Sequence, residues 1–218
     1  MLLIVAATKE EMMPVSKALG QRVDVTCLQT GIGPLETCLH LTRFLGGSGN
    51  GISLVMNIGV AGAFIDSGPQ LLDLCLAERE IVGDFGICSG NEITHFDRTA
   101  LQPPIEFDLR NAFFERARAK LAIHGMLYRQ GTFVTVNCTS GTAVRGRHLR
   151  DRYQAICENM EGAAVARVCK EFALPCLEIR CISNMVEDRD VSKWRLAAAV
   201  EKMTAAAVLL APDLVTGE

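Results

Sequence analysis

Short, wholly apolar runs alternate along the chain with stretches whose apolar residues recur every three or four positions, which predicts an α/β sheet covered by helices. "LLIVAAT" (2–8) reads as a strand buried on both faces, and a helix follows from about Glu10, with Pro14 tolerable only near its first turn. "VDVTCLQ" is the next strand, "TGIGP" turns into a helix over 35–44, and "ISLVMNIGVAGAF" is a third strand ending in small residues. "LLDLCLAERE" continues the sheet, and 109–123 is an amphipathic helix. "MLYRQGTFVTVNCTSGT" is rich in strand formers, "AICENMEG" leads from a short strand into a helix ending at Phe172, and "PCLEIRCISN" is another strand. An Ala-rich helix over 191–210 closes the chain.

Two features of this pattern point to a site. Open sheets of this kind bind ligands beyond the carboxyl ends of their strands, and polar residues interrupt the apolar runs at such places: Glu10, Glu11, Thr30, Asn57, Glu161 and Asn184. The segment 84–108, containing "GNEITHFDRTALQPP", is irregular, and is either a lid or a plain surface loop.

Composition narrows the function classes. With 49% hydrophobic and 22% charged residues, the 218-residue chain suits one globular domain with a large core. A net charge of −3 supplies no basic stripe for a phosphate backbone, so nucleic acid is not an expected partner. No apolar run reaches the ~18 residues of a membrane span, and "LLIVAA" lacks a basic leader, which predicts a cytoplasmic protein that does not enter the membrane. The nine cysteines are odd in number, scattered through apolar segments and free of C-x-x-C pairs; with four dispersed histidines they predict reduced thiols and no metal.

Individual motifs carry more chemistry. "TGIGP" (30–34) offers backbone amides after a strand, as a tight turn or as a ligand-facing one, without the third glycine of a dinucleotide fingerprint. In "TKEE" (8–11) Thr8 can cap the helix and one acid complement its dipole, while the other is placed to act as a general base on water. "ENMEGAAVARVC" (158–169) runs from an acidic strand end into a small-residue helix, and a carboxylate at that junction, Glu161, can accept from both hydroxyls of a ribose diol. "RCISN" (180–184) ends in Asn184, which is a turn or cap residue, or else an amide reading a purine edge. An amide donates to the exocyclic oxygen of a 6-oxopurine and accepts the proton on its imidazole ring, whereas an Asp there suits a 6-aminopurine.

"AATKEEM", "TGIGP", "MNIGVAGAF", "ENMEGAAVARVC" and "CISN", in that order and spacing, resemble the purine nucleoside phosphorylase and nucleosidase superfamily, closest in size to its methylthioadenosine/S-adenosylhomocysteine nucleosidases. The resemblance covers most of the chain. It implies a single three-layer α-β-α domain over 1–218 with a central mixed, twisted sheet, no cofactor, a small-molecule nucleoside substrate and a homo-oligomer. It implies that Glu11 activates water, that Met160 and Glu161 hold the ribose, and that position 184 serves the leaving base. Nucleosidases of that group carry Asp where this chain has Asn184, and the departure argues against adenine nucleosides. With "TFVTVNCTSGT" and "SNMVEDRDVSKW", it resembles the branch that releases hypoxanthine from a menaquinone-pathway nucleoside bearing a benzoate group.

The substrate contacts implied are Thr30, Gly31, Cys138, Thr139, Asn159, Met160, Glu161, Ser183 and Arg189, with Glu11, Asn184 and Glu161 catalytic. Arg145, Arg147 and Arg189 are each a candidate partner for the benzoate carboxylate or else a solvated surface charge, and Trp194 is either helix packing or a wall for its ring. Two rivals remain: a phosphorolytic enzyme of the same fold, and a nucleoside-binding protein without catalysis.

Overall fold

A computed structural model describes residues 1–49, 51–89, 92–94 and 103–215. Its strands are β1 (Leu2–Ala6), β2 (Val25–Gln29), β3 (Leu54–Phe64), β4 (Leu74–Val82), β5 (Ile87–Ser89), β6 (Glu92–Thr94), β7 (Glu106–Asp108), β8 (Tyr128–Thr135), β9 (Ala155–Asn159) and β10 (Cys176–Val186). The helices are α1 (Lys9–Leu19), α2 (Gly33–Gly47), α3 (Ala112–Ile123), α4 (Ala143–Tyr153), α5 (Gly162–Glu171) and α6 (Leu196–Val215).

The mixed sheet runs β10-β4-β8-β9-β3-β1-β2, with β7 added to β4, and it folds back so that β10 also pairs with β3. Helices cover both sides. Leu2, Ile4, Met56 and Ile58 pack under α1, α3 and α6, while Leu3, Val5, Val55 and Phe133 pack towards α2 and α5. In α6 the buried set Ala199, Met203, Ala206, Ala207, Leu210, Ala211 and Leu214 keeps helical spacing, and its small residues let the helix approach the sheet closely. No helix among the described residues is long and apolar enough to cross a membrane.

The route of β3 creates the site. Its first part, Leu54–Asn57, pairs in parallel with β1, and its last part, at Gly62 and Ala63, pairs with β9. Between them that edge of β3 has no strand beside it among the described residues, because β1 has ended and β9 has not yet joined. A gap therefore opens over Gly59–Ala61, beyond the carboxyl end of β1.

Several expectations need correction. Asn57 lies buried inside β3, level with Val5 of β1 and Glu178 of β10, and not at a strand end. Pro14 stands in the second turn of α1, where it forfeits one helical hydrogen bond; the capping box at Thr8 and the buried side chains of Met12 and Val15 hold the helix on both sides of it. The closing helix does not start at 191: Val191–Lys193 form a 3-10 turn capped by Asp190, and Trp194 is extended before α6 begins. Helix α4 has no counterpart in the sequence reading. Its sequence "AVRGRHLRDRY" carries four arginines and a glycine, which hide the apolar period of Leu149 and Tyr153. In the 84–108 segment, read as a lid or a surface loop, the structure describes 84–89, 92–94 and 103–108, with β5 and β6 paired antiparallel and β7 on β4; residues 90, 91 and 95–102 lie outside the described residues.

Candidate active site

The gap beside β3 opens into a cleft. At its floor two side chains take the place of the missing strand. Val60 donates its N–H to Glu11 Oε1 at 3.0 Å, and its carbonyl accepts from Arg180 Nη1 at 3.2 Å. Gly59 permits this, since a Cβ there would stand 2.6 Å from Arg180 Nη1 and 2.8 Å from Glu11 Oε1.

Glu11 reaches the gap from the first turn of α1. Its Oε2 accepts from the Thr8 N–H at 3.1 Å and the Thr8 hydroxyl at 2.8 Å, while Thr8 Oγ1 accepts from the Glu11 N–H at 3.3 Å. This reciprocal capping box fixes the carboxylate at 6% exposure.

Glu161 enters from the other side. Its Oε1 accepts the Gly33 N–H at 3.1 Å and its Oε2 accepts from Arg180 Nη1 at 3.2 Å. The "TGIGP" turn thus contributes a backbone amide, and Gly33, at φ 87°, adopts the left-handed conformation that glycine favours. Burial pushes the Glu161 carboxyl above the usual carboxylate range, against the pull of Arg180 and the Gly33 amide. Beneath it, Asn159 Oδ1 accepts the amides of Glu161 and Gly162 at 2.9 and 2.7 Å, satisfying the start of α5. The Asn159 side chain donates in turn to Glu80 at 2.5 Å. Burial and the neighbouring Glu178 carboxylate hold the Glu80 proton on well above the ordinary range.

Arg180 is the residue the sequence reading missed. It is 2% exposed and its Nε donates to Glu178 Oε1 at 2.8 Å. Burial works against its charge, but Glu178, Glu161 and Glu11 outweigh burial and keep it protonated. Its Nη2 has no hydrogen-bond partner among the described residues. A signal was present: an arginine in the middle of an apolar strand needs buried carboxylates nearby, and "LEIR" supplies one two residues earlier.

Asn184 lies at the opposite end of the cleft, beside a bulge in β10 between Ile182 and Asn184. Ser183 Oγ donates to its Oδ1 at 2.8 Å, which orients the amide, and its Nδ2 makes a long bond of 3.3 Å to the Met185 carbonyl. Gly62 faces it; a Cβ there would come within 3.1 Å of Nδ2.

Of the residues expected from sequence, Glu11, Thr139, Asn159, Met160, Glu161, Ser183, Asn184 and Arg189 border this cleft. Thr30, Gly31 and Cys138 do not. Thr30 is buried with its hydroxyl turned to the Ala6 carbonyl at 3.3 Å, and the Gly31 N–H donates to Ala7, so both build the turn that presents Gly33. Cys138 is exposed, and its N–H donates to Asp84 at 3.2 Å. At the mouth, the Arg189 guanidinium stacks on Trp194 at 4.7 Å, both on the rim. Arg145 is drawn instead to Asp84 and the Cys138 carbonyl.

The arrangement presents two buried carboxylates around one buried cation at one end and a neutral amide at the other. It suits a sugar that becomes cationic and a base that leaves.

Comparison with known proteins agrees with the geometry. Residues 12–212 match the model of the phosphorylase superfamily. The chain is 31% identical over 184 residues to the futalosine hydrolase of Thermus thermophilus, covering 82% of this chain and 77% of that one. It is 30% identical over 196 residues to the futalosine hydrolase of Streptomyces coelicolor, covering 86% and 78%. A solved structure of a futalosine hydrolase mutant from Helicobacter pylori superposes with a TM-score of 0.85 at 19% identity, over 97% of this chain and 98% of that one. A methylthioadenosine nucleosidase mutant of the same organism, holding 5'-methylthioadenosine, gives 0.84 at 20% identity, over 97% and 98%. At such identities the two superpositions speak for the fold.

Proposed function

The chain belongs to the phosphorylase superfamily and, within it, to the N-glycosidic hydrolases of the futalosine hydrolase family, and from that premise we propose that it hydrolyses futalosine to hypoxanthine and dehypoxanthine futalosine. The observation that carries the reading is the pairing, in one cleft, of the buried Glu11–Arg180–Glu161 cluster with an amide, not a carboxylate, at position 184.

In this reading Glu161 accepts from the ribose hydroxyls, and its negative charge, with that of Glu11, favours the oxocarbenium-like sugar that forms as the C1'–N9 bond lengthens. Glu11 takes a proton from the attacking water. The bonding electrons pass into the base. Asn184 Nδ2 donates to the 6-oxygen; N7 of the departing base takes up a proton from solvent as the bond breaks, and Asn184 Oδ1, already oriented by Ser183, accepts a hydrogen bond from that N7–H. Arg189, flat against Trp194 on the rim, is the partner for the benzoate end, since it offers a guanidinium fork and an aromatic face together.

Hydrolysis is favoured over phosphorolysis because Arg180 is already hydrogen-bonded to Glu178 and Glu161, and Glu11 stands where a phosphate oxygen would need a cation. We place the reaction in menaquinone biosynthesis, in the cytoplasm, carried out by a homo-oligomer of single-domain subunits. An apolar groove beside Glu11, lined by Met13, Leu196 and Val200, supports the last point, and light scattering tests it. Hypoxanthine release from futalosine, followed by chromatography with and without phosphate, tests the activity.

A further inference from the structure

Glu158 is a buried carboxyl on the wall of the cleft to which the mechanism above gives no task. It lies in β9, directly opposite Gly62 of β3, and Gly62 is paired on its other side with Asn184 of β10. Glu158 and Asn184 therefore flank one glycine from two neighbouring strands, about 9.5 Å apart by two strand spacings. Gly62 has no side chain, and the space a Cβ would take is approached by Val186 Cγ2 at 3.0 Å and Asn184 Nδ2 at 3.1 Å. All three residues border the same cavity.

The polar capacity of Glu158 is only half used. Its Oε1 accepts the Ser140 N–H at 2.7 Å and its Oε2 accepts the Ser140 hydroxyl at 2.6 Å. A carboxylate has about four acceptor positions, so roughly two remain. Burial raises its proton affinity, and the two Ser140 donors and the charge of Arg145 oppose that rise. A third donor favours the same, ionised form.

The edge of a 6-oxopurine presents a ring nitrogen, an exocyclic oxygen and a second ring nitrogen in a row. Asn184 serves the imidazole nitrogen and the oxygen. The remaining position, N1, carries a hydrogen in hypoxanthine and a lone pair in adenine. Resting on the 6-oxopurine reading above, we propose that Glu158 is a second specificity-determining residue, accepting the N1–H of the base from the side opposite Asn184. It attracts hypoxanthine and repels adenine at N1, so the site discriminates at two adjacent atoms. The bland alternative is that Glu158 only anchors the loop at Ser140.

The test compares kcat/KM for futalosine and 6-amino-6-deoxyfutalosine in the wild type, Glu158→Gln and Ser140→Ala. Losing a charged acceptor from one base only is expected to lower the 6-oxo to 6-amino ratio about 10- to 100-fold in E158Q. Ser140→Ala removes the hydroxyl half of the anchor and keeps the backbone N–H and the carboxylate, so both substrates should fall together with the ratio held within about threefold. A parallel fall of both substrates in E158Q overturns the inference and leaves the anchor alone. Should E158Q not fold, competitive inhibition of the wild type decides: 1-methylhypoxanthine, which has no N1–H, should bind about 10- to 100-fold more weakly than hypoxanthine, and equal binding overturns the inference. A wild type that prefers the 6-amino substrate overturns the function proposed above, and this inference with it.

Discussion

Gly59→Ala adds one methyl group between the two side chains that replace a strand along β3. The φ of Gly59 lies outside the left-handed region, so the backbone accepts alanine and the whole effect is steric. The new Cβ would stand 2.6 Å from Arg180 Nη1, 3.3 Å from its Cζ and 2.8 Å from Glu11 Oε1, against about 3.4 Å for ordinary contact. The guanidinium must retreat by about 0.8 Å and the carboxylate by about 0.6 Å. Arg180 has little freedom to do so, because Glu178, Glu161 and the Val60 carbonyl all hold it. Overpacking of this kind costs about 1–3 kcal/mol, offset by the roughly 0.5–1 kcal/mol gained when alanine replaces glycine in a strand. A net loss near 1 kcal/mol lowers Tm by about 2–4 °C in a chain of this size. Displacing the reacting groups by most of an ångström should lower kcat/KM about 10²-fold. Thermal melts and hypoxanthine release on the same preparation separate the two effects. Full activity in a folded G59A protein would refute the reasoning that this gap is the reaction centre.

Gly62→Ala presses on Asn184 Nδ2, so it should change the 6-oxo to 6-amino preference more than G59A does, read from the kcat/KM ratio. Asn184→Asp removes the donor to the 6-oxygen and should cost futalosine about 10²–10³-fold in kcat/KM. Glu161→Gln should lower kcat/KM about 10²–10⁴-fold, and the acid limb of the wild-type pH profile should lie above the ordinary carboxylate range, because burial raises the Glu161 carboxyl. A raised folded-state value means that the folded chain holds this proton more tightly than the unfolded one. Wild-type stability relative to E161Q should thus fall as pH rises from about 4.3 through the raised value and level off above it, measured by urea unfolding. Arg180→Met leaves Glu178 and Glu161 uncompensated and should cost about 3–5 kcal/mol in the same assay.

The strands were legible because their apolar runs are dense and bounded by glycine or charge, as at Leu2–Ala6 and Cys176–Val186. Glu11, Glu161 and Asn184 stood out because each interrupts such a run. Helix α4 was not legible, since five of its eleven positions are charged and only Gly146, Leu149 and Tyr153 are buried. Nor was the task of Arg180, which depends on Glu11, Glu161 and Glu178 converging from three separate elements. The resemblance implies Thr30 and Gly31 as substrate contacts, but the direction in which the amides of this turn point is set by the pairing of Thr30 and Gly31 with Ala6 and Ala7. Only Gly33 faces Glu161.

Base release from futalosine, 6-amino-6-deoxyfutalosine, inosine and methylthioadenosine, each followed by chromatography with and without phosphate, tests the central claim most directly. The account predicts hypoxanthine from futalosine at a rate indifferent to phosphate, with the other three substrates far behind. Cleavage chiefly of methylthioadenosine would contradict the reading of Asn184, and inosine cleavage that requires phosphate would make the chain a phosphorylase.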